Sequence, residues 1–179
     1  MKKQLMQLTM ALAGLSVAPM VFAAPAPGTG TVTFNGKLTA DTCVINAGDV
    51  NKTVTLDTVS AQSLPNKGDT AATTNFTISV SQCPANLSSV AAHFETTNMD
   101  PDTRNIVNQA IASPATNVEV QLIDKDGKTP ILLGSTGSFY PIDASAHTAT
   151  MSYYGQYYAT GKTEAGNVTA VASYTLAYQ

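Results

Sequence analysis

Tryptophan is absent from the 179 residues, charged side chains make up only 12% of them, and there are just two cysteines and two histidines. A β-sandwich packed around a buried indole is therefore excluded. His93 and His147 stand in dissimilar contexts and are too few for a histidine-rich metal site, so both read as polar surface positions. The charged share is about half of that usual in a soluble domain, which leaves a surface that resists association weakly. Thr, Ser and Asn carry much of the remaining polarity, and they suit strands and turns. Past residue 23, no segment is apolar enough to span a bilayer.

Residues 1–23 read as a secretory signal peptide. Lys2 and Lys3 give a basic start, Leu5 to Val21 is mostly apolar, and Val21-Phe22-Ala23 has the form of a cleavage site. Gln4, Gln7, Thr9 and Pro19 interrupt a core too short for a membrane anchor. Cleavage would leave 156 residues starting at Ala24, enough for one domain with a substantial core. Without Lys2 and Lys3 the net charge moves from −3 to −5, which argues against nucleic acid or an anionic membrane as partner. In an exported chain Cys43 and Cys83 most simply pair as a disulfide, and the Cys-x-x-Cys spacing of a redox pair is absent.

Pro25, Pro27, Gly28 and Gly30 make a loose lead-in. In Val32, Phe34, Gly36 and Leu38, alternate residues are apolar or glycine, the mark of a strand with one buried face. Glycine in that row suggests close backbone approach to another surface. Further short strands are expected at Val54–Val59, Phe76–Val80, Val90–Phe94, Val118–Leu122, Ile131–Leu133, Met151–Tyr158 and Val168–Tyr178, with turns between. A weak helix is expected over Arg104–Ile111. Strands at this spacing predict an all-β, antiparallel sandwich of immunoglobulin-like kind.

The last of these strands carries the clearest alternation: Val168, Ala170, Ala172, Tyr174, Leu176 and Tyr178 form one apolar row. The sequence stops at Gln179, so nothing downstream covers that strand's free edge, and cover from outside the domain is expected. The apolar parity is even through Leu38 and odd at Cys43 and Ile45. Either a donated strand hands over to the home domain between them, or one strand carries a bulge.

Motifs for chemistry are incomplete. Asp124-Lys125-Asp126-Gly127 opens like a calcium loop but lacks the closing carboxylate, and reads as a hairpin turn. Gly161-Lys162-Thr163 resembles the end of a phosphate loop whose first glycine would fall at Gln156. Gly134 to Ser138 lacks the Gly-x-Ser-x-Gly spacing of a nucleophile. Tyr153, Tyr154, Tyr157 and Tyr158 are expected to divide between core and subunit contact rather than to stack sugars or bases, because neighbours on a strand face opposite ways. No catalytic residue, metal site or cofactor is expected, and no small-molecule substrate.

Taken together, the leader, the row Val32, Phe34, Gly36, Leu38, the pair Cys43 and Cys83, the segment Tyr157-Tyr158-Ala159-Thr160-Gly161, a glycine fourteenth from the end (Gly166) and a penultimate tyrosine (Tyr178) resemble the chaperone-usher fimbrial subunits, most of all the type 1-like major pilins. The resemblance covers essentially the whole mature chain. It implies an incomplete immunoglobulin-like fold whose last strand comes from a neighbouring subunit, with 24–38 as the N-terminal extension (donor strand) and 39–179 as the pilin domain. It further implies a cell-surface fimbrium supporting adhesion, a homopolymer of neighbouring pilin subunits, and export through the periplasm with a periplasmic chaperone and an outer-membrane usher. Gly166, Tyr174, Leu176 and Tyr178 would then belong to the groove and chaperone-facing strand. A minor adaptor or terminator subunit and a secreted carbohydrate-binding sandwich are the alternatives; a tip adhesin would need a further domain.

Overall fold

A computed structural model describes residues 28, 30–36, 38 and 41–179, so the expected leader, 1–23, lies outside the described residues. The chain divides into two units, Met1–Leu38 and Thr39–Gln179. In the first, the described residues 30–36 belong to no helix or strand, and Val32, Phe34 and Leu38 are 78%, 91% and 101% exposed.

The regular secondary structure of the second unit is nearly all strand: β1 (Val44–Ile45), β2 (Thr70–Ser81), β3 (Ser89–Glu95), β4 (Ile106–Val107), β5 (Thr116–Ile123), β6 (Pro130–Ile131), β7 (Ser135–Thr136), β8 (Tyr140–Pro141), β9 (Ala149–Glu164) and β10 (Ser173–Tyr178). One sheet runs β1-β2-β9-β5-β4 with β6 beside β5; the other runs β10-β3-β7 with β8 also on β3. Every pairing between these strands is antiparallel. Both long ladders contain a register shift, at Ala71/Thr74 and at Thr116/Val118. Ala72 and Asn117 sit at these shifts with φ of 55°, the local geometry of a bulge that bends the sheet.

Alternation along the strands supplies the core. Ile78 and Val80 of β2, Val90, Ala92 and Phe94 of β3, and Met151 and Tyr153 of β9 are buried together. Aromatic rings knit the layers: Phe94 meets Tyr153 edge-on at 5.2 Å between centroids, and Tyr140 meets Tyr153 at 5.8 Å. The Tyr153 hydroxyl accepts the Ala92 N–H at 3.0 Å, and burial pushes this phenol's pKa up to about 12. Of the neighbouring pair Tyr153 and Tyr154, the first is fully buried and the second is not, whereas Tyr157 and Tyr158 are both half-buried.

Two expectations are corrected. Residues 104–111 are not helical: Asp100 accepts the N–H groups of Asp102 and Thr103, Arg104 has φ of 57°, and Ile106 then pairs with Val120. Long-range pairing outweighs a weak helical propensity. Val54–Val59 forms no strand, as residues 52–60 have no regular secondary structure. Among the described residues the helical segments are α1 (Ala47–Val50), a single α-helical turn, and a 3-10 turn at Ala61–Ser63, neither of which the sequence announced. Asp124–Gly127 is the expected turn, with the Gly127 N–H donating to the Asp124 carbonyl at 2.9 Å.

Candidate functional site

A groove of about 880 Å³ opens onto the core of the second unit. Its floor is apolar and drawn from both sheets, with Phe76, Ile78, Phe94, Ile106, Val120 and Leu122. One wall runs from Val50, the last residue of α1, through the irregular segment to Leu56, where Val54 and Leu56 are half-buried and their neighbours exposed. The other wall runs from Val168 to Tyr174, and it keeps the alternation read from the sequence: Val168, Ala170, Ala172 and Tyr174 are half-buried, while Thr169, Val171 and Ser173 are exposed.

The walls are irregular for a reason visible in the ladders. β10 pairs with β3 only from Ser173, opposite Glu95, to Tyr178, opposite Val90, so residues 168–172 continue the row without a strand partner. On the other side β1 pairs with β2 only at Val44/Ser81 and Ile45/Val80, after which α1 turns away. Asp49, buried in that turn, accepts the Ser79 N–H at 2.9 Å and the Lys52 ammonium at 2.6 Å. Hydrogen bonding to Lys52, foremost, and to Ser79 holds the Asp49 carboxyl below its ordinary pKa against the opposing effect of burial.

The expected site residues fall in different places. Tyr174 lines the groove, and its hydroxyl donates to the Asp49 main-chain carbonyl at 2.7 Å. Leu176 and Tyr178 continue the same inward row, packed against the core. The Tyr178 hydroxyl accepts the Cys43 N–H at 2.9 Å. Cys43 and Cys83 form the disulfide, with Cα atoms 4.1 Å apart.

Gly166 lies just before the wall, against the loop 113–115. A Cβ there would come 2.3 Å from the Ala115 nitrogen, 2.5 Å from the Pro114 carbonyl carbon and 2.6 Å from the Ser113 oxygen. Those are main-chain atoms, and Asn167 is bonded into the same loop through Ser113 and Ala115. Gly166→Ala must push these segments apart, an overpacking cost of about 1–3 kcal/mol, and urea unfolding should show a lower midpoint at unchanged m. An unchanged midpoint would mean that the loop yields freely.

Among the described residues, no group of three or more His, Cys, Asp or Glu is placed to hold a metal ion. Besides Asp49, a second buried carboxyl that sequence reasoning missed is Glu119, which accepts the Thr103 hydroxyl at 2.7 Å and the Asn105 amide at 3.2 Å. Burial raises its pKa. It stands on β5 between Val118 and Val120, and Val120 lines the groove.

Comparison with known proteins places these features. A family model described as "Fimbrial protein" matches residues 32–179. The F17 fimbrial protein of Escherichia coli is 42% identical over 158 residues, spanning 84% of this chain and 87% of that protein. The major fimbrial subunit SMF-1 of Stenotrophomonas maltophilia is 38% identical, over 83% of this chain and 92% of its own length. Among solved structures, a type I fimbria protein of Burkholderia pseudomallei superposes with a TM-score of 0.57 at 28% identity, covering 76% of this chain and 88% of the other. The P pilus rod subunit PapA, 16% identical, shares the fold with a TM-score of 0.60 over 76% of this chain and 99% of its own.

Proposed function

Because the chain belongs to the fimbrial protein family and is a structural subunit of a surface fimbrium, we propose that its copies polymerise by strand donation: residues 24–38 of one subunit fill the groove of the next. The observation that carries this reading is a complementary pair within one sequence. Val32, Phe34 and Leu38 are apolar and exposed, whereas the groove is apolar and opens onto the core. Burying the three would contribute roughly 5–9 kcal/mol of gross hydrophobic stabilisation at about 1.5–3 kcal/mol each. The four inward positions of the wall, Val168, Ala170, Ala172 and Tyr174, match the four-position row Val32, Phe34, Gly36, Leu38 in number. Ala170 and Ala172 are small enough to leave room for large inserted side chains.

Donation from each copy to the next is a heterologous contact that does not close, so it generates a filament. Main-chain hydrogen bonding along the inserted strand supplies affinity, and alternate side chains supply specificity. The groove needs cover before a neighbour arrives, since an open sheet edge beside apolar surface is an aggregation hazard. A periplasmic chaperone would provide that cover, and an outer-membrane usher would exchange it for the next subunit. This role is structural and calls for no catalytic chemistry.

Gly36→Leu tests the reading. Among the described residues nothing comes within 4 Å of a Cβ at Gly36, and Gly36 belongs to the first unit rather than to the strand-built domain, so the substitution is not aimed at that domain's core. Assembly should fall at least tenfold by sedimentation while the soluble subunit keeps its circular dichroism spectrum. Normal polymer yield would show that Gly36 makes no tight contact in a neighbour.

A further inference from the structure

Period-two alternation leaves a strand's register unsettled. Slipping an inserted strand by one residue turns its apolar row outward, but slipping by two restores the row to the same face, about 6.6 Å further along. Alternation in Val32–Leu38 and in the wall therefore permits several registers, and something else must choose among them.

Two phenols on the inward row cross to the segment that precedes β2. Tyr178 reaches the N–H of Cys43, whose disulfide makes that crossing part of the permanent framework. Tyr174, two positions of the row earlier, stands on the groove wall and donates to the Asp49 carbonyl in α1. That carbonyl is itself held in place, because the Asp49 carboxylate is tied to the Ser79 N–H of β2 and to Lys52. The phenol thus bridges the two walls where the wall's fourth inward position falls.

We infer that Tyr174 is a stop that limits how far an inserted strand runs along the groove and so fixes its register. The inference rests on the strand-donation reading. The Tyr174 ring occupies the position beyond which a two-residue slip would carry the inserted row toward Leu176, and the bond to Asp49 keeps the ring there. Tyr174 is in this sense a positioning residue for assembly.

The test uses the full chain with the photo-crosslinker p-benzoylphenylalanine at position 35, on the outward-facing side of the row so that the inserted anchors are unchanged, assembled into polymer, with cross-links mapped by mass spectrometry. The parent should give one cluster of cross-linked groove residues. Tyr174→Ala should add a second cluster, displaced by two residues toward Leu176 and comparable in intensity. Tyr174→Phe, which keeps the ring and loses its anchor, should give a smaller share of the same second cluster. A single unchanged cluster in both variants overturns the inference. So does loss of assembly by a folded Tyr174→Phe chain, because a limit on depth is not needed for insertion. Absence of polymer from the parent would instead remove the strand-donation reading on which the stop depends.

Discussion

A chain lacking residues 24–38 should fold around its Cys43–Cys83 bond and yield no filaments in electron micrographs, while still binding a peptide of the deleted sequence. The deletion removes Val32, Phe34 and Leu38 from the donating end, and with them the roughly 5–9 kcal/mol that their burial would contribute. It leaves every lining residue of the groove in place, since the groove is made by residues 45–174. Donation and acceptance are therefore separable. Mixed with the full chain, the truncated chain can accept a strand but cannot pass one on, so filaments should shorten in proportion to the truncated fraction. Filaments from the truncated chain alone would defeat strand donation. A truncated chain that leaves the full chain's filament length unchanged would show that its groove does not accept.

What was legible beforehand follows from where each signal lives. The row Val168 to Tyr178 was readable because one face is core and the other solvent, so burial imposes alternation on the sequence itself. Met151 and Tyr153 were readable on the same ground. Val54 and Leu56 alternate too, yet they form a groove wall without a ladder: alternation reports which side is covered and says nothing about the partner that supplies the hydrogen bonds. Arg104–Ile111 failed differently. Its apolar spacing fits a helix, but Asp100 stabilises a turn before it and Val120 claims Ile106, and both influences come from outside the segment's own periodicity. The bridge from Tyr174 to Asp49 joins residues 125 apart, and the burial of Glu119 depends on Thr103 and Asn105 folding over it. Neither leaves a local pattern. For Gly166 a sequence signature was visible while its physical cause, the main chain of Ser113 to Ala115, was not.

Replacing Cys43 and Cys83 together by serine should lower the stability of the domain by about 4 kcal/mol, the chain-entropy value for a closed loop of this length. The bond spans a sequence separation of 40 residues, so it removes much freedom from the unfolded chain. Against a typical total of about 5–15 kcal/mol, such a loss should leave a sizeable unfolded fraction and shift the urea midpoint sharply downward. The native state should also suffer locally. β1 is held by two paired positions, Val44 with Ser81 and Ile45 with Val80, and the disulfide of Cys43 and Cys83 fastens the two segments just beyond the Val44/Ser81 end of that pairing. Ile45 lines the groove, and the Cys43 N–H is the donor that Tyr178 receives. Amide exchange at residues 43–45 should therefore rise more in the double serine variant than exchange in the paired centre of β2 and β9, which is held on long ladders. A loss below about 1 kcal/mol would mean that the unfolded chain is already compact across the loop. Equal increases of exchange everywhere would place the bond's effect wholly in the unfolded state, and would deny it a part in holding β1 beside the groove.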